Sequence, residues 1–473
     1  MRATHFVFTG FLLFSGYAGF AQKETPLPAK SQLAWHKTGY YLFMHFGPNT
    51  FTDKEWGEGT ESPAVFNPEL LDCRQWCRIA KEAGAKGIII TAKHHDGFCL
   101  WPSKYSTHTV RESKWKNGKG DVLKEVSEAC KEYGLKFGVY ISPWDRNHPK
   151  YGTPEYNEVF INMMKEIFQR YGPIWELWWD GANGEGPNGK KQVYDWKRFE
   201  QTVRELSPNT VIFSDIGPDI RWCGNENGIA GETNWNLLDT AGFTRGAGAP
   251  SVKVLNEGNI NGKNWIPAEC DVSIRPGWFY HKEDDGKVKT PVQLFSLYLK
   301  SVGRGANLLL NVPPDRRGLI PAKDSASLMG FKKLRDENFK TNLVAEGRAE
   351  LHYKGGIYPE NKFMDGNEET FSSLSEYTNG SFWIKFNPVK KINCIVLKEA
   401  IENGQNIKSL HLSLIKGADV VKEIELTTIG NKRIITFPAD NISAIRIVIK
   451  DAKAEPQLSE VEAYLLDENL VVK

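Results

Sequence analysis

An excess of charge of either sign is missing: 60 Lys and Arg stand against 58 Asp and Glu in 473 residues, a formal net charge of +2. Such a balance gives no long-range pull toward nucleic acid or anionic membranes, and neither is expected as a partner. Cysteine is scarce: seven residues (Cys73, Cys77, Cys99, Cys130, Cys223, Cys270, Cys394) are few and odd in number, which argues against a dense disulfide framework and for buried thiols. Cys73 and Cys77 lie four apart on an expected helix. With no second cysteine pair or nearby histidine, a zinc site is not supported. Also absent are a glycine-rich nucleotide fingerprint after the first strand, low-complexity tracts, and any later run near the roughly 20 apolar residues of a membrane span.

What the chain has in quantity is aromatic side chains, 12% of its residues, among them 15 tryptophans. Most must fill a core, but this number also suits flat apolar platforms for a ligand. The N-terminus, "MRATHFVFTGFLLFSGYAGFAQK", places Arg2 before an apolar stretch and then small residues at Gly19 and Ala21. It reads as a secretory signal peptide over 1–21, which implies a secreted or periplasmic protein.

From Trp35 onward, short β-branched or aromatic runs alternate with amphipathic stretches, the pattern of βα units around a parallel sheet. Helices are expected at "CRQWCRIAKEAG", "VLKEVSEACKEYG" and "FINMMKEIFQRYG". Strands are expected within "YYLFMHFGPN", "GAKGIIITAKHHDGF", "GLKFGVYISPWD", "IWELWWDGA" and "TVIFSDIGPD", and later at "PAECDVSIR" and "ANLLLNVPP". Seven or eight strands in roughly 300 residues, with polar residues gathered at the strand ends, predict an α/β fold: a TIM-like (β/α) barrel over 22–344. Beyond about residue 345, short alternating runs separated by turns predict an antiparallel β-sandwich over 345–473. Its "FMDGNEETF" and "SEVEAYL" resemble the ends of galactose-binding-like, discoidin-type modules.

In a barrel, residues at the C-terminal ends of different strands converge on one mouth, which here collects His45, His94, His95, Tyr140 and Asp180. Neutral imidazole offers one donor and one acceptor and suits vicinal hydroxyls, while Trp56, Trp101 and Trp278 can cover the apolar face of a sugar. In "WELWWDGANG" the carboxylate of Asp180 sits in aromatic surroundings, which is costly unless it is hydrogen-bonded, paired or used, with a glycine loop read as flexible behind it. Cleaving a glycoside takes two carboxyl groups. Asp180, at a rigid strand end, is the natural nucleophile. By spacing alone Glu226, Glu232, Glu269 and Asp271 are nearly equal candidates for the second.

The motifs "YYLFMHFG", "TAKHHDGFCLWPS", "ELWWDGA", "RWCGNE" and "SIRPGWFY" resemble those of glycoside hydrolase family 29, the retaining α-L-fucosidases, over residues 32–340. The resemblance implies a double displacement without metal or cofactor, acting on fucosylated oligosaccharides or glycoconjugates. The family's nucleophile falls on Asp180, its sugar-binding histidines on His45, His94 and His95, its tyrosine on Tyr140, and its tryptophan beside the fucose on Trp56. The glutamate of a "GNE" motif after the fifth strand, Glu226, takes the acid/base role of the subgroup preferring α-1,3 and α-1,4 branches. Arg275 and Trp278 are expected to border the pocket, with Glu269 and Asp271 on the leaving sugar. The alternatives are a fucosidase of broad or α-1,2 preference, a barrel glycosidase for another sugar, and a glycan-binding protein without turnover.

Overall fold

The computed structural model describes residues 25–375 and 377–471. The segment read as a signal peptide lies outside the described residues. Eight parallel strands, β1 (Tyr40–Met44), β2 (Gly87–Lys93), β3 (Lys136–Ile141), β4 (Glu176–Trp178), β5 (Val211–Ser214), β6 (Ile220–Trp222), β9 (Ala268–Ser273) and β10 (Asn307–Asn311), close into a barrel. Two further strands, β7 (Leu237–Leu238) and β8 (Asn264–Trp265), form a small antiparallel ribbon outside it. The barrel strands are buried on both faces, hence their nearly continuous apolar runs. On β1 the alternation still sorts partners: Tyr40, Leu42 and Met44 pack outward, while Tyr41 and Phe43 join Trp35, Ile89, Tyr140, Trp178, Phe213 and Leu309 inside.

The outer helices start and stop where side-chain chemistry directs. Asp72 caps α3 (Cys73–Glu82) by accepting from the amides of Arg74 and Gln75, and Asp121 caps α4 (Val122–Tyr133) by accepting from that of Lys124. Gly134, at φ 67°, ends α4 in the left-handed conformation that glycine adopts without strain. The seven cysteines are buried and free.

One crossover lacks its helix. Only Asp215–Asp219 separates β5 from β6, although the two run parallel. Asp219 holds this tight return: it takes Arg204 Nη2 on both oxygens (2.7 and 2.6 Å) and the amide of Ile212 at 2.7 Å. The motif "RWCGNE" was expected after the fifth strand. Its Arg221 and Trp222 instead build the sixth, so Glu226 follows β6. The excursion from Cys223 to Pro267, with α7 (Val252–Glu257) and the β7–β8 ribbon, is tied back by the fully buried Arg221. Its guanidinium donates to the carbonyls of Leu255 (2.8 Å) and Ile266 and to Asn234 Oδ1 (3.0 Å).

After the last barrel helix, α9 (Ala322–Asn338), an antiparallel module wraps a core of its own around Phe363, Phe382, Leu412, Ile447 and Val461. Its strands are β11 (Arg348–Tyr353), β12 (Gly356–Pro359), β13 (Ser372–Ser373), β14 (Ser381–Glu399), β15 (Ile407–Lys416), β16 (Asp419–Leu426), β17 (Arg433–Ala452) and β18 (Gln457–Tyr464). The long β14 and β17 pair with each other; one end of the pair is flanked by β11 and β15 and the other by β18. The module packs where strands begin: Ile434 donates its amide to Gly303 O (2.8 Å), ahead of β10, and Lys37, ahead of β1, pairs with Glu369 (3.6 Å). It therefore faces the barrel floor, away from the mouth.

Arg221→Ala should strand three buried acceptors and open a cavity. The expected loss is about 3 kcal/mol, read from the urea midpoint; a loss below about 1 kcal/mol would contradict the stapling role.

Candidate active site

Two of the mouth histidines are fixed by hydrogen bonds to neighbouring strand ends. His45, one residue past β1, puts Nδ1 2.9 Å from Asn311 Oδ1 at the end of β10. An amide oxygen only accepts, so this contact places the proton on Nδ1 and leaves Nε2 a bare acceptor. Asn311 spends its own Nδ2 on Ser273 Oγ (2.9 Å) and Trp278 O (2.7 Å). His95 repeats the arrangement after β2: its Nδ1 lies 2.8 Å from Ser142 Oγ, whose proton goes to Trp144 O at 3.1 Å. Its Nε2 is thus also an acceptor and lies 3.7 Å from Asp180 Oδ2. His94, between them, stacks on Tyr140 (5.8 Å, 17°), and its buried Nδ1 has no partner among the described residues.

Burial keeps these rings neutral. It drives His45 down to about 3 and His95 to about 4, the latter despite the opposing pull of Asp180. His94 is lowered well below its ordinary value by burial and by the two neighbouring imidazoles. The result is a wall of uncharged donors and acceptors, suited to hydroxyls rather than to an anion.

Asp180 lies two residues beyond β4, its side chain 24% exposed. Tyr140 donates to Oδ2 at 2.9 Å and the amide of Ala182 to Oδ1 at 2.8 Å, with no Lys or Arg paired to it among the described residues. The loop behind it is packed rather than loose. A Cβ on Gly184 would lie 2.1 Å from the Trp144 ring, one on Gly186 2.3 Å from Tyr151, and one on Gly181 3.2 Å from the Asp215 carboxyl. These glycines admit close approach instead of supplying flexibility. Trp144 rests against His95 (4.8 Å) and meets Trp56 edge-on (5.6 Å). Trp56 is 55% exposed, a free indole at the rim.

Glu226 is exposed on the loop after β6, and its Oε2 accepts from Trp278 Nε1 at 3.2 Å. The Trp278 ring in turn packs 5.1 Å from His45. Glu55 fixes this Trp278 loop by accepting from the amides of Trp278 (2.8 Å) and Phe279 (3.2 Å). Asp271 is buried on β9 with Trp222 Nε1 at 2.8 Å; burial and the charge of Glu226 are among the causes that raise its pKa.

Several expected residues lie elsewhere. Glu269 is two residues below Asp271 on the inward face of β9 and belongs to the barrel interior, where Tyr41 and Trp178 donate to it. Arg275 turns its buried guanidinium onto Asp324 (2.7 and 2.8 Å) and Asp285 (3.0 Å), bracing the loop that carries Trp278. Glu232 pairs with Arg304 (3.2 Å), and its carbonyl accepts from Arg433 of the C-terminal module. Trp101 is wholly buried on Glu166 (3.0 Å). The strand-end rule, applied to "ANLLLNVPP", would have found Asn311. Ser142 and Glu55 carried no comparable signal. A cleft of about 850 Å³ between barrel floor and C-terminal module, lined by Tyr298, Arg335 and Lys398 among others, contains none of the mouth residues.

Because the imidazole pKa values are depressed on folding, the unfolded chain takes up protons first as the pH falls below 6.5, and these rings favour unfolding in acid. In nitrogen-detected NMR of the native protein, His45 and His95 should stay unprotonated down to about pH 5. Titration of either near 6.5 would contradict the neutral wall.

The comparisons with known proteins converge on one family. A family model described as alpha-L-fucosidase matches residues 29–334. Alpha-L-fucosidase 1 of Arabidopsis thaliana is 40% identical over 451 residues, covering 93% of this chain and 88% of that protein. A solved glycoside hydrolase 29 family member from an unknown rumen bacterium superposes with a TM-score of 0.83 at 40% identity, over 94% of this chain and 78% of that one. A Ruminococcus gnavus family 29 fucosidase solved with fucose gives 0.85 at 31% identity, over 95% and 97%. The closed barrel, its polar mouth and these relatives together show that the chain belongs to glycoside hydrolase family 29 and is an α-L-fucosidase.

Proposed function

We propose that this enzyme removes terminal fucose from α-1,3- and α-1,4-branched, Lewis-type glycans with retention of configuration, Asp180 serving as nucleophile and Glu226 as acid/base. The observation that carries the reading is the Asp180 carboxylate: it is held by Tyr140 and the Ala182 amide beside three neutral imidazoles and is partly open to the mouth. Acceptors at His45 and His95 suit the hydroxyls of fucose. The indoles of Trp56 and Trp144 offer an apolar face, whose contact with a sugar methyl is worth about 1–3 kcal/mol of discrimination.

In the first step an Asp180 oxygen forms a bond to the anomeric carbon as the bond to the leaving oxygen breaks, and Glu226 gives that oxygen its proton. Glu226, now a carboxylate, then takes a proton from water, whose oxygen displaces Asp180 and releases α-fucose. Trp278 engages one oxygen of Glu226, so Oε1 is left to carry the proton. Such a pair works with its carboxyls about 5–5.5 Å apart. The linkage preference is supported by the "GNE" motif, and a secreted or periplasmic site of action by the N-terminal segment.

The test is incubation with a Lewis-type trisaccharide and, separately, an α-1,2-fucosylated one, with the first-formed anomer followed by proton NMR. Early α-fucose from the branched substrate alone is expected. First-formed β-fucose would overturn retention, and equal cleavage of both would overturn the linkage preference. Asp180→Ala should lower kcat by at least about 10³-fold. Glu226→Gln should cost about 10²–10⁴-fold on the trisaccharide and less on an aryl fucoside with a good leaving group.

A further inference from the structure

Beneath the mouth the barrel interior contains two glutamates with no cation beside them among the described residues. Glu176 opens β4, Glu269 lies near the start of β9, and both are wholly buried. Four donor contacts converge on the cluster. Trp178 Nε1 donates to Glu269 Oε1 (2.8 Å), the Tyr41 hydroxyl to Glu269 Oε2, and Trp35 Nε1 to Glu176 Oε2 (3.0 Å) and to Tyr41 (3.0 Å). One atom is left over: Glu176 Oε1 is buried without a hydrogen-bond donor among the described residues. Two adjacent buried carboxylates would repel in low dielectric, and an orphaned carboxylate oxygen would be costly to bury. One proton on Glu176 Oε1, directed at Glu269, removes both problems.

The donor set decides which member keeps the charge. Glu269 accepts from an indole and a phenol as an anion does, whereas Glu176 accepts one shared indole N–H and holds the oxygen that needs a proton. The pKa directions agree: burial and Glu269 raise Glu176 well above its ordinary value despite the opposing pull of Trp35 and Tyr41, while on Glu269 burial alone pushes upward and hydrogen bonds from Glu176, Tyr41 and Trp178 oppose it.

We propose that Glu176 and Glu269 form a singly protonated pair whose ionised member, Glu269, is a positioning residue for the reaction: by fixing the Trp178 indole it sets Tyr140 and, through it, Asp180. Trp178 stacks between Phe213 (4.0 Å, 10°) and Tyr140 (5.2 Å, 28°) and lies two residues before Asp180. Tyr140 carries the 2.9 Å hydrogen bond to Asp180 Oδ2. A rotated indole would shift both the ring behind Tyr140 and the strand end bearing Asp180, and small misplacements of a reacting group cost up to about 10²-fold in rate. The inference rests on Asp180 being the nucleophile.

Two isosteric variants separate this from a merely structural role. Glu176→Gln supplies a permanent donor where the proton sits, so kcat on an aryl fucoside should stay within about threefold. Glu269→Gln brings an amide donor among donors and should lower kcat about 10- to 100-fold while KM changes little. In indole N–H NMR, the Trp178 resonance should lie downfield in wild type and Glu176→Gln and move upfield in Glu269→Gln. Equal kinetic effects of the two variants, or an unchanged kcat in Glu269→Gln, would overturn the proposal. If Glu269→Gln does not fold, infrared spectroscopy at neutral pH decides: wild type should show a protonated-carboxyl stretch that vanishes in Glu176→Gln, and a missing or unaffected band would overturn it. Loss of turnover in Asp180→Ala with normal turnover in Glu269→Gln would refute the positioning role alone.

Discussion

Everything at the mouth depends on holding one carboxylate, Asp180, without a cation. A paired lysine or arginine would stabilise the charge but also mask the nucleophile proposed above. The structure supplies two hydrogen bonds instead, from the Tyr140 hydroxyl and the Ala182 amide, and leaves the carboxylate partly open. Hydrogen bonds of this kind orient both oxygens while leaving their charge available to the reaction. Neutral imidazoles complete the wall, since protonated ones would bind the same carboxylate and close the pocket.

Burial enforces neutrality, and partners outside the pocket fix the orientation of the rings. Asn311 and Ser142 each engage an Nδ1, which fixes the tautomer and turns the acceptor nitrogens of His45 and His95 inward. Asn311 also ties β1 to the Trp278 carbonyl, so one amide couples a mouth histidine, His45, to the loop whose indole meets Glu226. Arg275 and Glu55 brace that loop from either side. The mouth is thus a set of strand ends cross-linked to their neighbours, and the C-terminal module sits on the opposite face.

Much of this was legible because barrel topology turns sequence position into spatial position. Once βα alternation was read, His45, His94, His95, Tyr140 and Asp180 fell at strand ends, and the structure brings them together. Strand counting failed where a physical rule was broken: the β5–β6 return has no helix and is held by Asp219, so Arg221 and Trp222 read as loop although they are strand. Period alone did not give height along a strand. Glu269 and Asp271 share the inward face of β9, but two residues separate the barrel interior from the level of Trp222. The glycines after Asp180 read as flexible because their neighbours, Trp144 and Tyr151, are remote in sequence.

The proposed double displacement requires Asp180 to bond to the sugar. The most direct measurement is mass spectrometry of the protein after incubation with a 2-deoxy-2-fluoro-fucosyl donor bearing a good leaving group, followed by peptide mapping. A stable fluorofucosyl adduct on Asp180 is the predicted result. An adduct on another carboxylate, or hydrolysis of the donor with no covalent species and release of the inverted sugar, would contradict it.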